Sequence, residues 1–164
     1  MENRKAALLI VDIQPGFITE ENKWILPNVE RILKDGSYDT YVEVTFSALA
    51  GSLWEKQMDW TFPPQDTVPE IKTLIPKDDY LYIEKNTKSA FKGNKDLLAF
   101  LRERHIEEVH TIGLDTNDCV FATANEAFDL GFFSYVIENC TASSQSPELR
   151  EAALSILREL DMTM

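Results

Sequence analysis

Three residues of this chain carry side chains suited to covalent chemistry. Cys119 sits in the run Gly113-Leu114-Asp115-Thr116-Asn117-Asp118-Cys119-Val120, at the start of a predicted helix. A helix N-terminus presents unpaired backbone N–H groups and a partial positive charge, and both favour a thiolate, the nucleophilic form of cysteine. Asp12 directly follows the apolar run Ala6–Val11. A carboxylate at the mouth of a buried strand is partly desolvated, which raises its pKa and suits it to proton transfer. Lys85 ends the run Tyr80–Glu84 and could steady a nearby anion, with Lys88 competing for that part. Each residue alone has an ordinary reading as well: a packed cysteine, a turn aspartate and a solvated lysine. Together they supply a nucleophile, a proton acceptor and a cation, the set wanted for covalent acyl transfer.

These residues need a scaffold that gathers strand ends. Ala6–Val11 is a continuous apolar run of strand length, as buried parallel strands are. Further strands are predicted at Tyr41–Phe46, Tyr80–Glu84, Glu108–Gly113 and Phe133–Ile137. Helices are predicted over Pro27–Asp35, a short Pro69–Leu74, Asn94 (as cap) to His105, Thr116 or Asn117 to Gly131, and Pro147–Leu160. Gly51–Trp60 reads as irregular or briefly helical, and Met162–Met164 as the stub of a sixth strand. The alternation predicts an α/β fold: a three-layer, Rossmann-like sandwich whose mostly parallel sheet of five to six strands carries helices on both faces. One domain is expected across residues 1–164. Ligands of such sheets bind beyond the carboxyl ends of the strands, where Asp12, Lys85 and Cys119 all fall.

Composition removes several function classes. The 164 residues carry 16 Lys+Arg against 28 Asp+Glu, a formal charge of −12. That field repels phosphate backbones and anionic membranes, so neither nucleic acid nor membrane is an expected partner. Two cysteines and two histidines make no Cys-rich zinc site, and His105 and His110 have no ligand-spaced companion; no metal is expected. No GxGxxG, GxxxxGK[ST] or CxxC motif occurs, so no classic dinucleotide or P-loop site and no thioredoxin-like redox pair is implied, and no cofactor is expected. No apolar run reaches membrane-spanning length, the opening residues lead into a strand and not a signal peptide, and the expected location is the cytoplasm. Cys140, at a strand end with no evident activator, reads as packing.

Three motifs together resemble the isochorismatase-like cysteine hydrolases, a superfamily with nicotinamidases, N-carbamoylsarcosine amidases and ureidoacrylate or biuret amidohydrolases among its members. Val11-Asp12-Ile13-Gln14-Pro15-Gly16-Phe17 resembles the family's D-x-Q-x-x-F; Lys85-Asn86-Thr87-Lys88-Ser89-Ala90-Phe91 resembles K-x-x-x-S-A-F; Gly113 to Ala124 resembles G-x-x-T-x-x-C-V-x-x-T-A. The register selects Lys85 over Lys88. The resemblance implies an Asp12–Lys85–Cys119 triad acting through an acyl-enzyme on a small amide or ureido/carbamoyl substrate. It also implies a cis peptide at Leu114–Asp115 that aims the N–H groups of Asp115 and Cys119 at an oxyanion. Phe17, Trp54 and Trp60 are expected to rim the pocket, and a homodimer or tetramer is expected.

The chain departs from the family in places. The segment after strand two, Val44 to Ser52, has no histidine, unlike the metal-bearing nicotinamidases, and looks closer to a metal-free branch reading T-R-F-x-N-x-x-G-S. Even there Thr45 replaces the arginine and Ala48 the asparagine, while Asn117 and Asn139 stand where aspartates are common. These four changes are expected around the pocket. Cys119 argues against isochorismatase activity itself, which lacks the cysteine nucleophile. Two alternatives stay open: a catalytically silent binding or scaffold relative, and a thiol redox sensor pairing Cys119 with Cys140. For a carboxylate-bearing substrate, Arg150 is the nearest candidate partner by strand order.

Overall fold

The computed structural model describes residues 3–93 and 96–164. Strands β1 (Ala6–Val11), β2 (Thr40–Phe46), β3 (Tyr80–Lys85), β4 (Glu108–Leu114) and β5 (Phe133–Ala142) form one sheet in the order β3-β2-β1-β4-β5, and every pairing is parallel. The helices are α1 (Leu26–Asp35), α2 (Leu53–Met58), α3 (Pro69–Lys72), α4 (Leu97–Glu103), α5 (Phe121–Asp129) and α6 (Pro147–Glu159). The expected three-layer α/β architecture is therefore present. Alternate residues of β1 divide the core. Ala7, Leu9 and Val11 pack with Leu97 and Leu101 of α4, Ala124 of α5 and Leu154 of α6. Leu8 and Ile10 pack with Val29 and Leu33 of α1 and Ile71 of α3. Burial of both faces is why β1 reads as an unbroken apolar run. Among the described residues no helix is long and apolar enough to cross a membrane.

Several elements differ from expectation at their ends. The Asn94 cap lies outside the described residues, and α4 is capped instead by Asp96, whose Oδ1 accepts from the Ala99 N–H at 2.9 Å. The stretch around the tryptophans becomes the short helix α2, with Ser52 as N-cap. The Gly51 N–H donates to Glu55 Oε2 at 2.6 Å, a variant of the capping box. Strand β5 runs on to Ala142, past the predicted Ile137, with a register shift against β4 between Thr111 and Gly113. Met162–Met164 does supply a stub beside β5: Val136 N–H donates to Met162 O at 2.9 Å and Met164 N–H to Val136 O at 3.0 Å.

The chain order reverses between β1 and β4, so the crevice that parallel sheets use for ligands opens above those two strands. Two backbone features shape it. Gly113 has φ +116°, and a Cβ there would stand 1.9 Å from the Val11 carbonyl oxygen, so only glycine lets β4 lie this close to β1. Asp12 has φ 53°, a left-handed conformation that aspartate tolerates better than most residues, and its N–H donates to Val44 O at 2.9 Å. The strand end is thus held by β2 while the chain turns away.

Gly113→Ala is expected to lose about 2–4 kcal/mol of stability in chemical denaturation. Gly36→Ala, at an open left-handed helix cap, is expected to lose only about 1 kcal/mol. Equal losses at the two positions would contradict the close approach of β4 to β1.

Candidate active site

The ends of three strands deliver three side chains to one point. Lys85, the last residue of the edge strand β3, is 1% exposed and extends its chain across β2. Its Nζ donates to Asp12 Oδ2 at 2.8 Å, to Cys119 Sγ at 3.3 Å and to the Thr87 carbonyl at 2.8 Å. All three ammonium protons are therefore used, and the position of the head group is fixed. Lys88, the competing lysine, lies outside this cluster and pairs with Asp118 Oδ1 at 3.0 Å. Asp12 is fully buried, and its Oδ1 has no hydrogen-bond partner among the described residues.

Electrostatics couples the three groups. Burial is the largest influence on Asp12 and raises its carboxyl above the ordinary 3.8, against the lowering effect of Lys85. Burial works to strip Lys85 of its proton, but the charges of Asp12 and Cys119 outweigh it and hold the ammonium above 10.5. Burial, then the Asp12 charge, drives the Cys119 thiol well above 9.0, with Lys85 pulling the other way. One cation balances one anion, so Asp12 and Cys119 share a single negative charge and titrate as a pair. The helix end favours the anion, whereas desolvation beside a carboxylate works against it and favours the thiol.

The nucleophile's turn also differs from a simple helix start. Thr116–Val120 forms a π-helical turn ahead of α5, with the Val120 N–H donating to Asp115 O at 3.1 Å. Such widened turns recur at functional sites because they re-aim a side chain. The Leu114–Asp115 peptide is cis, and the Asp115 N–H makes no hydrogen bond among the described residues. Asp115's carboxylate accepts from the Ser144 N–H and from its hydroxyl, both at 2.7 Å, which ties the loop after β5 to the turn before Cys119. Beneath the turn, Thr116 Oγ1 and Thr141 Oγ1 lie 2.7 Å apart, and Thr141 donates to Gly113 O at 2.9 Å.

Above the three residues lies a cavity of about 410 Å³, the size of a small-molecule site. Asp12, Asp115 and Cys119 form part of its wall, and Phe17, Trp54 and Trp60 line it as expected. Phe46, Met58 and Phe62 complete the apolar side. Phe46 is the residue that spacing could not pick out. It ends β2 like any core strand residue, yet its ring centroid lies 4.8 Å from Lys85 Nζ and stacks on Trp60 at 5.9 Å. Gln14 was visible only as a motif letter; its amide donates to Phe46 O and Gln65 O, each at 3.0 Å, and accepts from the Phe46 N–H at 2.8 Å. It joins β1, β2 and the loop that carries the cavity's aromatic wall.

Other expected participants fall elsewhere. Thr45, Ala48, Asn117 and Asn139 do not line the cavity, contrary to expectation. Thr45 Oγ1 lies 2.7 Å from the Tyr82 hydroxyl, and Asn139 O accepts from Asn28 at 2.8 Å. Ala48 is fully buried and bridges to Phe62. Ala48 thus puts an apolar side chain into the segment after β2, and that segment does not fit a metal. Among the described residues no group of three or more His, Cys, Asp or Glu side chains is arranged to hold one. Arg150 is also committed: it donates to Thr141 O at 2.8 Å and Glu138 O at 2.6 Å, and its guanidinium sits 5.2 Å from the Trp24 ring centre. Cys140 packs with Leu8 and Ile10, whereas Cys119 packs with Leu9 and Val11. The two thiols thus belong to cores on opposite faces of the sheet, which removes the geometric basis for a redox pair.

Known proteins share this architecture. The Isochorismatase domain matches residues 6–163. The isochorismatase family protein YwoC of Bacillus subtilis is 30% identical over 171 residues, covering 94% of this chain and 86% of the relative. Ureidoacrylate amidohydrolase RutB of Cronobacter sakazakii is 27% identical over 154 residues, covering 92% of this chain and 61% of the relative. The crystal structure of nicotinamidase PncA from Bacillus subtilis superposes with a TM-score of 0.74 at 28% identity, covering 94% of each chain. By the match across its length and by the sequence relationship to YwoC, the chain belongs to the isochorismatase family of hydrolases.

Proposed function

We propose that the chain is a metal-independent cysteine hydrolase that cleaves the C–N bond of a small amide or ureido/carbamoyl compound. One arrangement carries the reading: Lys85 Nζ stands 2.8 Å from Asp12 Oδ2 and 3.3 Å from Cys119 Sγ, beneath a cavity that Asp12 and Cys119 help to line. The relatives named as nicotinamidase and ureidoacrylate amidohydrolase support amide chemistry.

In this mechanism the Cys119 proton moves to Asp12 as Sγ bonds to the substrate carbonyl carbon. The carbonyl π electrons move onto oxygen, and the backbone N–H groups of Asp115 and Cys119 hold the oxyanion. One such donor contributes about 2.7–4 kcal/mol to the transition state. The C–N bond then breaks, Asp12 returns its proton to the leaving amine, and a thioester remains on Cys119. Asp12 next takes a proton from water, the hydroxide adds to the thioester carbon, and the thiolate departs and is reprotonated. Lys85 keeps its charge throughout and holds Asp12 and Cys119 in place. A thiol at rest suits this scheme, because the negative charge leaves Asp12 only when a carbonyl is present to receive the sulfur.

Free, buried thiols suit a reducing compartment, and a cytoplasmic location is part of the proposal. So is self-association. Phe128, Phe133 and Leu160 are about half exposed and line one shallow hollow beside β5, an apolar patch that a second copy could cover.

Cys119→Ala is expected to lower amide turnover at least about 10⁴-fold with an unchanged denaturation midpoint; turnover at the parent rate would end the assignment. The pH profile follows from the signs. Only ionised Asp12 can accept the thiol proton, so kcat/KM rises with pH through an acid limb placed above 3.8 by burial. Lys85, held charged above 10.5, adds no falling limb near neutrality. Asp12→Asn is expected to remove both the limb and the activity, and a limb that persists in that variant would assign it to another group.

A further inference from the structure

The cavity's charge is as specific as its shape. Three acidic residues contribute to its lining, Asp12, Asp115 and Asp118, and among the described residues that line it there is no lysine, arginine or histidine. The nearby cations are already engaged. Lys85 lies behind Asp12 with all its donors satisfied. Lys88 pairs with Asp118 from the solvent side, its side chain 58% exposed. Arg150, the one candidate that strand order offered for a substrate carboxylate, is bound to two backbone carbonyls outside the cavity. The opposite wall is aromatic: Phe46 and Trp60 are stacked at 5.9 Å, and Trp54 meets both nearly edge-on at 5.1 and 5.8 Å. Aromatic faces attract cations and offer nothing to a carboxylate. A carboxylate entering here would lose much of its water without gaining a cationic partner.

Resting on the reading of this cavity as an amide-hydrolysing site, we propose that it selects substrates by charge, admitting a compact amide that is cationic or uncharged and turning away one that carries a carboxylate. This separates the chain from the relative named for ureidoacrylate, whose substrate is an acid. The preference is local. The chain's −12 charge also repels anions at long range, but that contribution fades when salt shortens the Debye length to a few ångströms. The selection built into the wall survives such screening because it comes from desolvation and contact. Gln145, exposed at the cavity mouth and free of charged partners in the structure's hydrogen bonds, is the position where one added cation would face an entering ligand.

The test uses three ligands on one ring: benzamide, 3-(trimethylammonio)benzamide and 3-carbamoylbenzoate. Binding to the Cys119→Ala chain is read by quenching of tryptophan fluorescence, since Trp54 and Trp60 line the site. Hydrolysis is read separately with the parent chain. At about 0.5 M salt, where surface fields are screened, the cation is expected to bind about 10-fold more tightly than benzamide. The carboxylate is expected to bind at least about 30-fold more weakly than benzamide. Gln145→Arg should bring the carboxylate to within about 3-fold of benzamide, the gain of one charge-assisted pair. Binding of the carboxylate as tight as benzamide's, or no saturable binding of the cation, overturns the proposal. Ordered binding without hydrolysis of any of the three would count against the amidase reading while the charge selection stands. Hydrolysis without the order would do the reverse.

Discussion

Everything near the cavity is arranged around a lysine ammonium buried between a carboxylate and a thiol. An isolated ammonium in this place would give up its proton, because desolvation there is worth several kcal/mol. Lys85 keeps it because Asp12 lies 2.8 Å away, and the Cys119 sulfur and the Thr87 carbonyl take its other donors. The arrangement tolerates one negative charge and no more. That is why burial raises both Asp12 and Cys119, and why a proton moving between them leaves the total charge of the buried group unchanged. In the proposed reaction, proton transfer inside such a buried, neutral set would need little rearrangement of the surroundings, the physical advantage of placing it out of water.

Holding that set requires precision from the backbone. Asp12 comes from β1, Lys85 from the sheet edge and Cys119 from the turn after β4. Gln14 ties the first of these to β2 and to the loop at Gln65. Thr141 and Ser144 tie the third to β5 and the loop beyond it. These bonds are buried or partly buried, so breaking one leaves a poorly satisfied group as well as a displaced strand end. The lysine's long chain is what permits a residue of the edge strand to act two strands away.

The cavity wall is a separate construction from its floor. Helix α2 and the bridge between Ala48 and Phe62 fold the segment after β2 back over the site and bring Trp54, Trp60 and Phe62 beside Phe46 and Phe17. In the proposed reaction the floor sets the chemistry and the wall sets what can reach it. Substitutions that stand out against family motifs, such as Thr45 and Asn139, belong to neither part of the cavity lining.

Much of this was legible in one dimension. The apolar runs and their alternation with helical patterns argued for a parallel sheet, because a strand buried on both faces, as β1 is, favours an unbroken apolar run. Parallel strands in turn put every strand end, hence Asp12, Lys85 and the turn to Cys119, on one edge. The choice of Lys85 over Lys88 came from motif register, and its physical reason is that Lys85 is the last sheet residue while Lys88 is already at the surface. The balance on the thiol, by contrast, depends on tertiary structure: a helix terminus alone argues for a thiolate, and the opposing push comes from burial next to Asp12, which is far away in the chain. The same holds for Phe46, whose place in a strand says nothing of the charge beneath its ring, and for Arg150, whose carbonyl partners lie in another element. Local pattern determines which face a residue shares and where its strand ends. Charge state, cavity lining and the engagement of each cation depend on distances between elements far apart in the chain, and only the packed fold sets those.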